Sequence, residues 1–553
     1  MPLLPAAAPA SGFALADWLV LGAYFVLLAG TGWIFARRET RDTEDYFLGG
    51  RSMPAWAVGV SIVATSMSAA SFVGVPESGY AGNLTYLTTN VGMVLAALVV
   101  AFVFIPAFYA ERVQTIYGLL ERRVGPRAGH AASWAFLVGR LFASGARIFV
   151  GALPLSLVLF GVERGLEPVH LVQAVALLTF VGIVYTLMGG VAAVIWSDVI
   201  QMVVLLGAAV GAIVLVLGWV DAPFEQLLDA LRTGGKPLVE GGAATSKLEL
   251  VDTRTDPRLP FTLLTAVLGF TLLGIGSYGT DQDLAQRMLT CKSSAEGSRS
   301  VLTGILLGIP SVLLFLVVGL LLWVFYQRPE LMGVHAPSAP PSDGRQVFLE
   351  FILTEMPSGL KGLMMAGLFA AGLSSLNSAI NAMSSTFIND VYRKRRPDLD
   401  ERALLTAGRA GVVICGVVLG LFAVLCVFWQ ASRGDEVRGG AILDFVLGVM
   451  TFAYSGLVGV FLSVLVLRRG SETSVVVALV VGFLLIAAAQ PWGLGALVPE
   501  ADAGAAFGDL SLLQKVVAAH FSWKFSAAAL VTFAVCAAGG PCRGASSDTA
   551  RDA

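Results

Sequence analysis

The sequence predicts an all-α polytopic membrane protein, on three observations. Hydrophobic residues make up 56% of the 553 and charged residues only 13%, with a mean hydropathy of +0.79. A soluble domain averages about 45–50% apolar and about 25% charged. The apolar residues fall into about thirteen runs near the ~20 residues that a spanning helix needs. One run, GLFAAGLSSLNSAINAMSSTFIND at 367–390, is long enough to span yet carries a row of hydroxyls and amides.

The runs lie at approximately 13–36, 54–80, 85–110, 131–161, 168–188, 190–220, 262–283, 299–326, 358–391, 403–430, 441–467, 473–490 and 521–540. Between them, alternate short loops carry basic residues: Arg37, Arg38, Arg41 and Arg51; Arg112, Arg122, Arg123 and Arg127; Arg287 and Lys292; Arg393 to Arg396; Arg468 and Arg469; and Arg543. Basic short loops stay in the cytoplasm. An odd number of spans then puts the N-terminus outside and the C-terminus inside a cell membrane. No segment is large enough for a separate soluble domain. The chain therefore reads as one transmembrane domain over 1–553, with extra helices at 13–36 and 473–540 around two five-helix halves, 54–220 and 262–467.

Several functions are disfavoured. The histidines His130, His170, His335 and His520 lie near helix ends or in loops, and no HExxH, GxSxG or phosphate-binding loop occurs, so no enzyme is expected. Net charge is -2 with no groove-binding basic run, so nucleic acid is not an expected partner. The five cysteines show no metal spacing, and three lie in apolar runs. The N-terminal residues lack the basic start of a cleaved signal peptide. A small solute and the lipid bilayer are the expected partners; nothing marks an obligatory protein partner.

The polar run holds the main functional signal. On a helix, Ser374, Ser378, Asn381 and Ser385 share one face, because residues three and four apart stack. A polar stripe in lipid is costly unless it faces protein, water or an ion. Uncharged oxygens suit a small hard cation that must bind and then leave. The alternative is helix–helix glue, since small residues at this spacing also let membrane helices pack closely. Two other runs read as interrupted helices. In PAWAVGVSIVATSMSAASFVGVPESGY at 54–80, the stretch Ala64 to Ser71 is small and polar. In TLLTAVLGFTLLGIGSYGTDQD at 262–283, Gly269, Gly274, Gly276 and Gly279 precede Thr280, Asp281 and Gln282. Broken helices at matching places of two halves mark a transporter site at mid-membrane.

At this point the chain resembles the sodium:solute symporter family, which includes sodium-coupled carriers of sugars, proline, pantothenate, iodide, monocarboxylates and sialic acid. The resemblance runs from about Asp17 to Arg469. It rests on DYFLGGRSMPAWAVGVSIVATSMSAASFVGVP at 45–76, IYGLLERRVGPR at 116–127, MGGVAAVIWSDVIQ at 188–201, GTDQDLAQRMLTCKS at 279–293 and AAGLSSLNSAINAMSSTFINDVY at 370–392, with TFAYSGLVGVFL at 451–462 weaker. It implies a LeuT-type fold of two inverted five-helix repeats plus extra helices, and a Na⁺-coupled symporter working by alternating access. It also implies a main sodium site formed by the carbonyls of Ala64, Met67 and Ala371 and the hydroxyls of Ser374 and Ser375. Asp198 is implied on the sodium exit path, or in a second sodium site with Ser374, Asn377 and Ser378; an interfacial role beside Trp196 is the alternative.

Candidate substrate residues are Ser68, Ser71, Ser277, Tyr278 and Gln282, with Arg140 and Arg147. The chain departs from the family's sugar carriers, which have a Tyr-Trp pair where it has Ser277 and Tyr278, and Glu and Gln where it has Ala70 and Ser71. It departs from the proline carriers, which have Asp where it has Ser66. What it adds is two arginines seven apart in GRLFASGARIFVGALPL, which share a helix face. A charge deep in a membrane helix is functional by default, and arginine forms a forked partner for carboxylate. In the family's sialic-acid carriers an arginine on this helix binds the substrate carboxylate. The expected solute is thus anionic, a sialic acid or a monocarboxylate, with Arg147 the deeper candidate. The alternative has Arg140 reaching the surface and Arg147 paired with an acid such as Asp444 or Asp281. A sugar symporter, and a sensor or channel of the same fold, are the rival readings.

Overall fold

The structure is a computed structural model and describes residues 13–37, 42–161, 164–235, 245–337, 347–433, 442–490, 493 and 507–543. Helices lie over all thirteen predicted runs. Among the described residues, seven helices are long and apolar enough to cross a bilayer by themselves, or nine if each of two sharply bent pairs is one span. Their outer faces leave Val26, Phe102, Phe180, Val203 and Leu425 exposed. Lipid tolerates such apolar surface at no cost.

Helix α1 (Leu15–Ala36) packs on two later helices, α6 (Pro168–Trp219) and α10 (Leu360–Thr386). Its Asp17 is fully buried. The carboxylate accepts the backbone N–H groups of Gly359 and Gly362, at 2.7 and 2.8 Å. Those are unpaired donors at the start of α10, where a helix attracts negative charge.

The first predicted interruption is a real break. Helix α2 (Ala55–Ser66) and helix α3 (Ala69–Ala81) meet at 68°. Met67 (φ -85, ψ 90) and Ser68 (φ -85, ψ 174) leave helical geometry between them. The next elements are α4 (Thr85–Ala110) and α5 (Pro126–Phe160). Within α6 the chain kinks at Gly189 and Gly190, where φ of Gly190 is +57. A Cβ there would sit 2.3 Å from the carbonyl oxygen of Tyr46, so only glycine fits. This kink separates the predicted runs 168–188 and 190–220.

The second interruption differs from the expectation. The chain stays helical through the glycines, as α7 (265–280), with π-type turns at both ends. Gly274 lies against Ala96, Gly276 against Tyr454 and Gly279 against Phe104, so these glycines serve close packing. The break comes at Asp281, which is extended (φ -99, ψ 119) and caps the short helix α8 (Gln282–Leu289) by accepting the Asp283 N–H at 2.9 Å. Helices α9 (Ser294–Gln327), α10, α11 (Glu401–Arg433), α12 (Ile442–Leu462), α13 (Glu472–Ala488) and α14 (Phe521–Ala537) complete the chain. Helix α10 lies along α6, and α9 lies along both halves of the broken α2–α3 pair. That arrangement surrounds the break with protein on several sides.

The contact of α3 with α9 depends on two glycines. A Cβ on Gly79 would lie 2.5 Å from the Leu316 carbonyl, and one on Gly319 2.1 Å from the Pro76 carbonyl. Backbone cannot yield as a side chain can, and overpacking costs ~1–3 kcal/mol. Gly319→Ala is therefore expected to lower the thermal unfolding midpoint in detergent. Gly308→Ala, on the same helix with nothing within 4 Å, is expected to leave it unchanged.

Candidate functional site

A helix that stops inside the membrane leaves its last carbonyls without amide partners. At the end of α2 these include the carbonyls of Ala64, Thr65 and Met67, all on buried residues. The middle of α10 faces this end. Ser375 donates its hydroxyl to the Thr65 carbonyl at 3.2 Å. Ser374, one residue earlier, donates to Asp198 Oδ1 at 2.6 Å. Thr65 and Ser378 hydroxyls lie 3.4 Å apart. Carbonyls from the break and hydroxyls from the polar stripe, more than 300 residues apart in sequence, thus converge. Ala371 is buried on the same helix, one turn before Ser374 and Ser375.

The rest of the stripe is divided in its role. Ser384 donates to the Gly408 carbonyl of α11 at 2.8 Å, which is helix–helix glue. Asn377 makes no bond to Asp198; among the described residues its side-chain oxygen has no hydrogen-bond partner, and it faces Gly182 of α6. Just beyond the stripe, Asp390 accepts from Thr115 (2.6 Å) and Ser133 (2.8 Å).

Beside the break lies a network of buried charges that the pattern of the sequence did not reveal. Asp198 accepts from Ser61 at 2.5 Å and from Arg287 at 3.2 Å. Arg287 also donates to Ser61 at 2.8 Å, to Asp283 Oδ1 at 2.8 Å, and to Ser378. The sequence placed Arg287 among the basic residues of a cytoplasmic loop; the structure buries it at 2% exposure. The reason is its position four residues after Asp283 on α8, which lets the two pair on one face. Lys292, further along, is exposed as the loop assignment requires.

Arg140 does not reach the surface either. It pairs with Asp281 Oδ2 at 2.7 Å and with Asp283, and Tyr454 donates to the same Asp281 oxygen at 2.5 Å. The acid that the sequence offered to Arg147 is therefore held by Arg140. Among the described residues Arg147 makes no ion pair: its Nη2 lies 2.8 Å from the sulfur of Met450 and its Nε has no partner. The side chain of Asp444 lies outside the described residues.

A cavity of about 150 Å³ lies between the broken helices. Its walls include Ser66, Ser68, Ser71, Arg140, Arg147, Ser277 and Tyr278. A second, much smaller cavity is lined by Ser68, Ser144, Arg147 and Ser375. Arg147 and Ser68 border both, so they connect the larger space with a hydroxyl of the polar stripe. Gln282 lines neither. Its side chain accepts from the Ile116 N–H at 2.9 Å and donates to the Gln114 carbonyl, because the first turn of α8 points it away from the break. Ser61, Asp283, Arg287 and Tyr454 were not singled out from the sequence. The Asp283/Arg287 spacing was the one available signal.

The chain and its fold have known relatives. Residues 46–488 match the model of the sodium:solute symporter family, and the chain belongs to that family. It is a multi-pass membrane transporter of the Na⁺-coupled symporter class, not an enzyme. A sodium/sialic acid symporter of Proteus mirabilis is 29% identical over 86% of this chain and 90% of its own. A sodium/sialic acid symporter of Aliivibrio fischeri is 27% identical over 85% and 87%. A sodium/glucose cotransporter of Vibrio parahaemolyticus is 26% identical over 82% and 84%. A solved Na⁺-coupled sialic acid symporter in an outward-open, substrate-bound state shares the fold, with a TM-score of 0.72 at 24% identity over 96% of this chain and 99% of that one. The nucleobase-cation symporter Mhp1 shares it more distantly, with a TM-score of 0.50 at 16% identity over 90% and 95%. The fold is of the LeuT type.

Among the described residues, removing Arg140 leaves Asp281 buried without a cation, while Asp283 keeps Arg287. Breaking a buried pair by deleting one partner costs about 3–5 kcal/mol. Arg140→Gln is expected to lose most monodisperse protein on size exclusion. Tyr454→Phe removes one hydrogen bond, worth about 1 kcal/mol, and is expected to stay folded with a modest fall in unfolding midpoint.

Proposed function

We propose that the protein imports an anionic organic solute with Na⁺, the carboxylate of the solute binding Arg147. Sialic acids and short monocarboxylates are the classes that fit first. The observation that carries the reading is the unequal state of the two arginines. Arg140 is held by two carboxylates, whereas Arg147 has no acid partner among the described residues and borders the cavity. A buried cation without a counter-ion is costly, and an incoming carboxylate relieves that cost with two parallel hydrogen bonds. The serines around it supply hydroxyl partners, and no aromatic pair of the sugar-carrier type stands at Ser277 and Tyr278. The two relatives named for sialic acid accord with this chemistry.

In this reading Na⁺ is held by the carbonyls of Ala64, Met67 and Ala371 and the hydroxyls of Ser374 and Ser375. The convergence of the α2 end with α10 supports it. The halves 54–220 and 262–467 act as the two repeats, and the site lies where both contribute. Ser375 and Arg147 line one small cavity, so occupancy of one site changes the field and the packing at the other. A ligand shifts the outward–inward equilibrium only by its differential affinity for the two states. The membrane potential adds about 2.3 kcal/mol per charge per 100 mV. The basic short loops support an outside N-terminus and a cytoplasmic C-terminus.

The test is uptake into proteoliposomes of N-acetylneuraminate, lactate and glucose, with Na⁺ or K⁺ outside. Na⁺-dependent accumulation of a carboxylate solute is expected, and Arg147→Gln is expected to abolish it while the protein stays monodisperse. Unchanged uptake by that variant removes the anion reading. Ser374→Ala and Ser375→Ala are each expected to raise the half-saturating Na⁺ about tenfold, the equivalent of about 1.4 kcal/mol; accumulation indifferent to Na⁺ removes the sodium reading.

A further inference from the structure

The smaller of the two cavities lies where three elements meet. Its walls come from α5 (Ser144 and Arg147), from the break (Ser68 and Ala69) and from α10 (Gly372 and Ser375). Two polar atoms on those walls are buried and have no hydrogen-bond partner among the described residues, the Ser144 hydroxyl and Arg147 Nε. Ser144 is 3% exposed. It stands three residues before Arg147, so both face the same way on α5. A buried donor left without a partner is rare and costly, and two in one cavity point to a ligand. Arg147 Nη2 is turned to the Met450 sulfur instead, at 2.8 Å.

We propose that this cavity holds one water molecule, which accepts from Arg147 Nε and donates to Ser144 and Ser375, and that Ser144 is thereby a positioning residue for the solute-binding arginine. The proposal rests on the solute and sodium readings above and names what joins their two sites.

The donors and acceptors select water. The N–H that Arg147 brings to the cavity excludes a cation. Ser375 gives its proton to the Thr65 carbonyl at 3.2 Å, so it offers the cavity only lone pairs, which repel an anion. Water can accept from the first wall and donate to the second. The room agrees: about 10 Å³ is open to the centre of a water molecule, and one water needs ~10–15 Å³ and two to four polar partners. With Nε held on this side, the two Nη atoms are left to the larger cavity, which Arg147 also lines. Theirs is an edge on which a carboxylate can lie with two parallel hydrogen bonds. The water thus fixes the orientation of the guanidinium that a solute carboxylate meets, and ties it to a hydroxyl proposed for Na⁺. Gly372 offers a way to displace it. A Cβ there would meet only the Ala69 methyl, at 3.8 Å, so Gly372→Ala adds a methyl to the wall without a clash.

The experiment is diffraction from crystals of the full-length protein grown in bromide salts, at a resolution that shows ordered waters, for wild type, Ser144→Ala and Gly372→Ala. In wild type one peak is expected within hydrogen-bond distance of Arg147 Nε and Ser144 Oγ, with no anomalous bromide signal; in either variant the peak is expected to be gone. An unfilled cavity in wild type overturns the proposal, and so does a bromide signal there. Uptake of N-acetylneuraminate and of lactate into proteoliposomes reads the positioning role. Both variants are expected to raise the solute KM about tenfold with the maximal rate little changed, and two folded variants with the wild-type KM overturn that role. Unfolding in detergent is a readout that needs no solute. Losing a bridged hydroxyl makes Ser144→Ala less stable than wild type, whereas losing an orphan hydroxyl makes it more stable; a raised unfolding midpoint therefore overturns the proposal. Should Ser144→Ala fail to fold, the wild-type peak and Gly372→Ala decide it. Should wild type take up neither solute, the anion reading falls, while the peak and the midpoint still decide the water.

Discussion

Within a bilayer no backbone polar group can be left without a partner, and this constraint organises the whole site. Helix α2 stops at Ser66, so its last carbonyls must find donors or a cation within the protein. The answer in this structure is α10, whose Ser375 hydroxyl reaches the Thr65 carbonyl. The close alignment of α10 with α6 then brings Ser374 to Asp198. Each further polar group is drawn in by the one before it: Asp198 needs a counter-charge and finds Arg287, Arg287 needs a second acceptor and finds Asp283, and Asp283 shares Arg140 with Asp281.

The chain of contacts joins the oxygens proposed for sodium to the arginine proposed for the solute. Ser374 is joined to Asp198, and Asp198 through Arg287 and Asp283 to Arg140, which lines the same cavity as Arg147. Ser375, on the other side, borders the small cavity with Arg147 itself. Any ion or solute that changes one of these contacts alters the cost of the others, because a half-satisfied buried network is worse than either a complete one or none. A buried network of this kind favours a few discrete arrangements over gradual deformation, as alternating access requires.

Close packing serves the same end. Glycines that looked like helix breakers in 262–283 instead let α7 approach Ala96, Phe104 and Tyr454. That approach holds Tyr454 within hydrogen-bond reach of Asp281. The true break lies two residues past the last glycine, at Asp281, where the carboxylate both caps α8 and meets Arg140. A helix interruption and an ion pair are therefore the same residue's work.

What the sequence by itself determined are the local properties. Runs of apolar residues set where the helices lie, the small polar stretch after Ala64 set the first break, and the hydroxyls of 374–385 marked the helix that would answer it. Each follows from a window of a few turns, where hydropathy and helix propensity act. The partners of the arginines did not follow. Arg140 and Asp281 are 141 residues apart, and Asp198 and Arg287 are 89 apart. Which buried charge meets which depends on how the helices stack, and a linear pattern carries no term for that. The tertiary structure alone decided that Arg287 is buried rather than on a loop, that Arg140 is neutralised by two acids, and that Gln282 turns away from the cavity. Desolvation makes an unpaired charge so costly that the packed helices, not the local sequence, dictate the pairing.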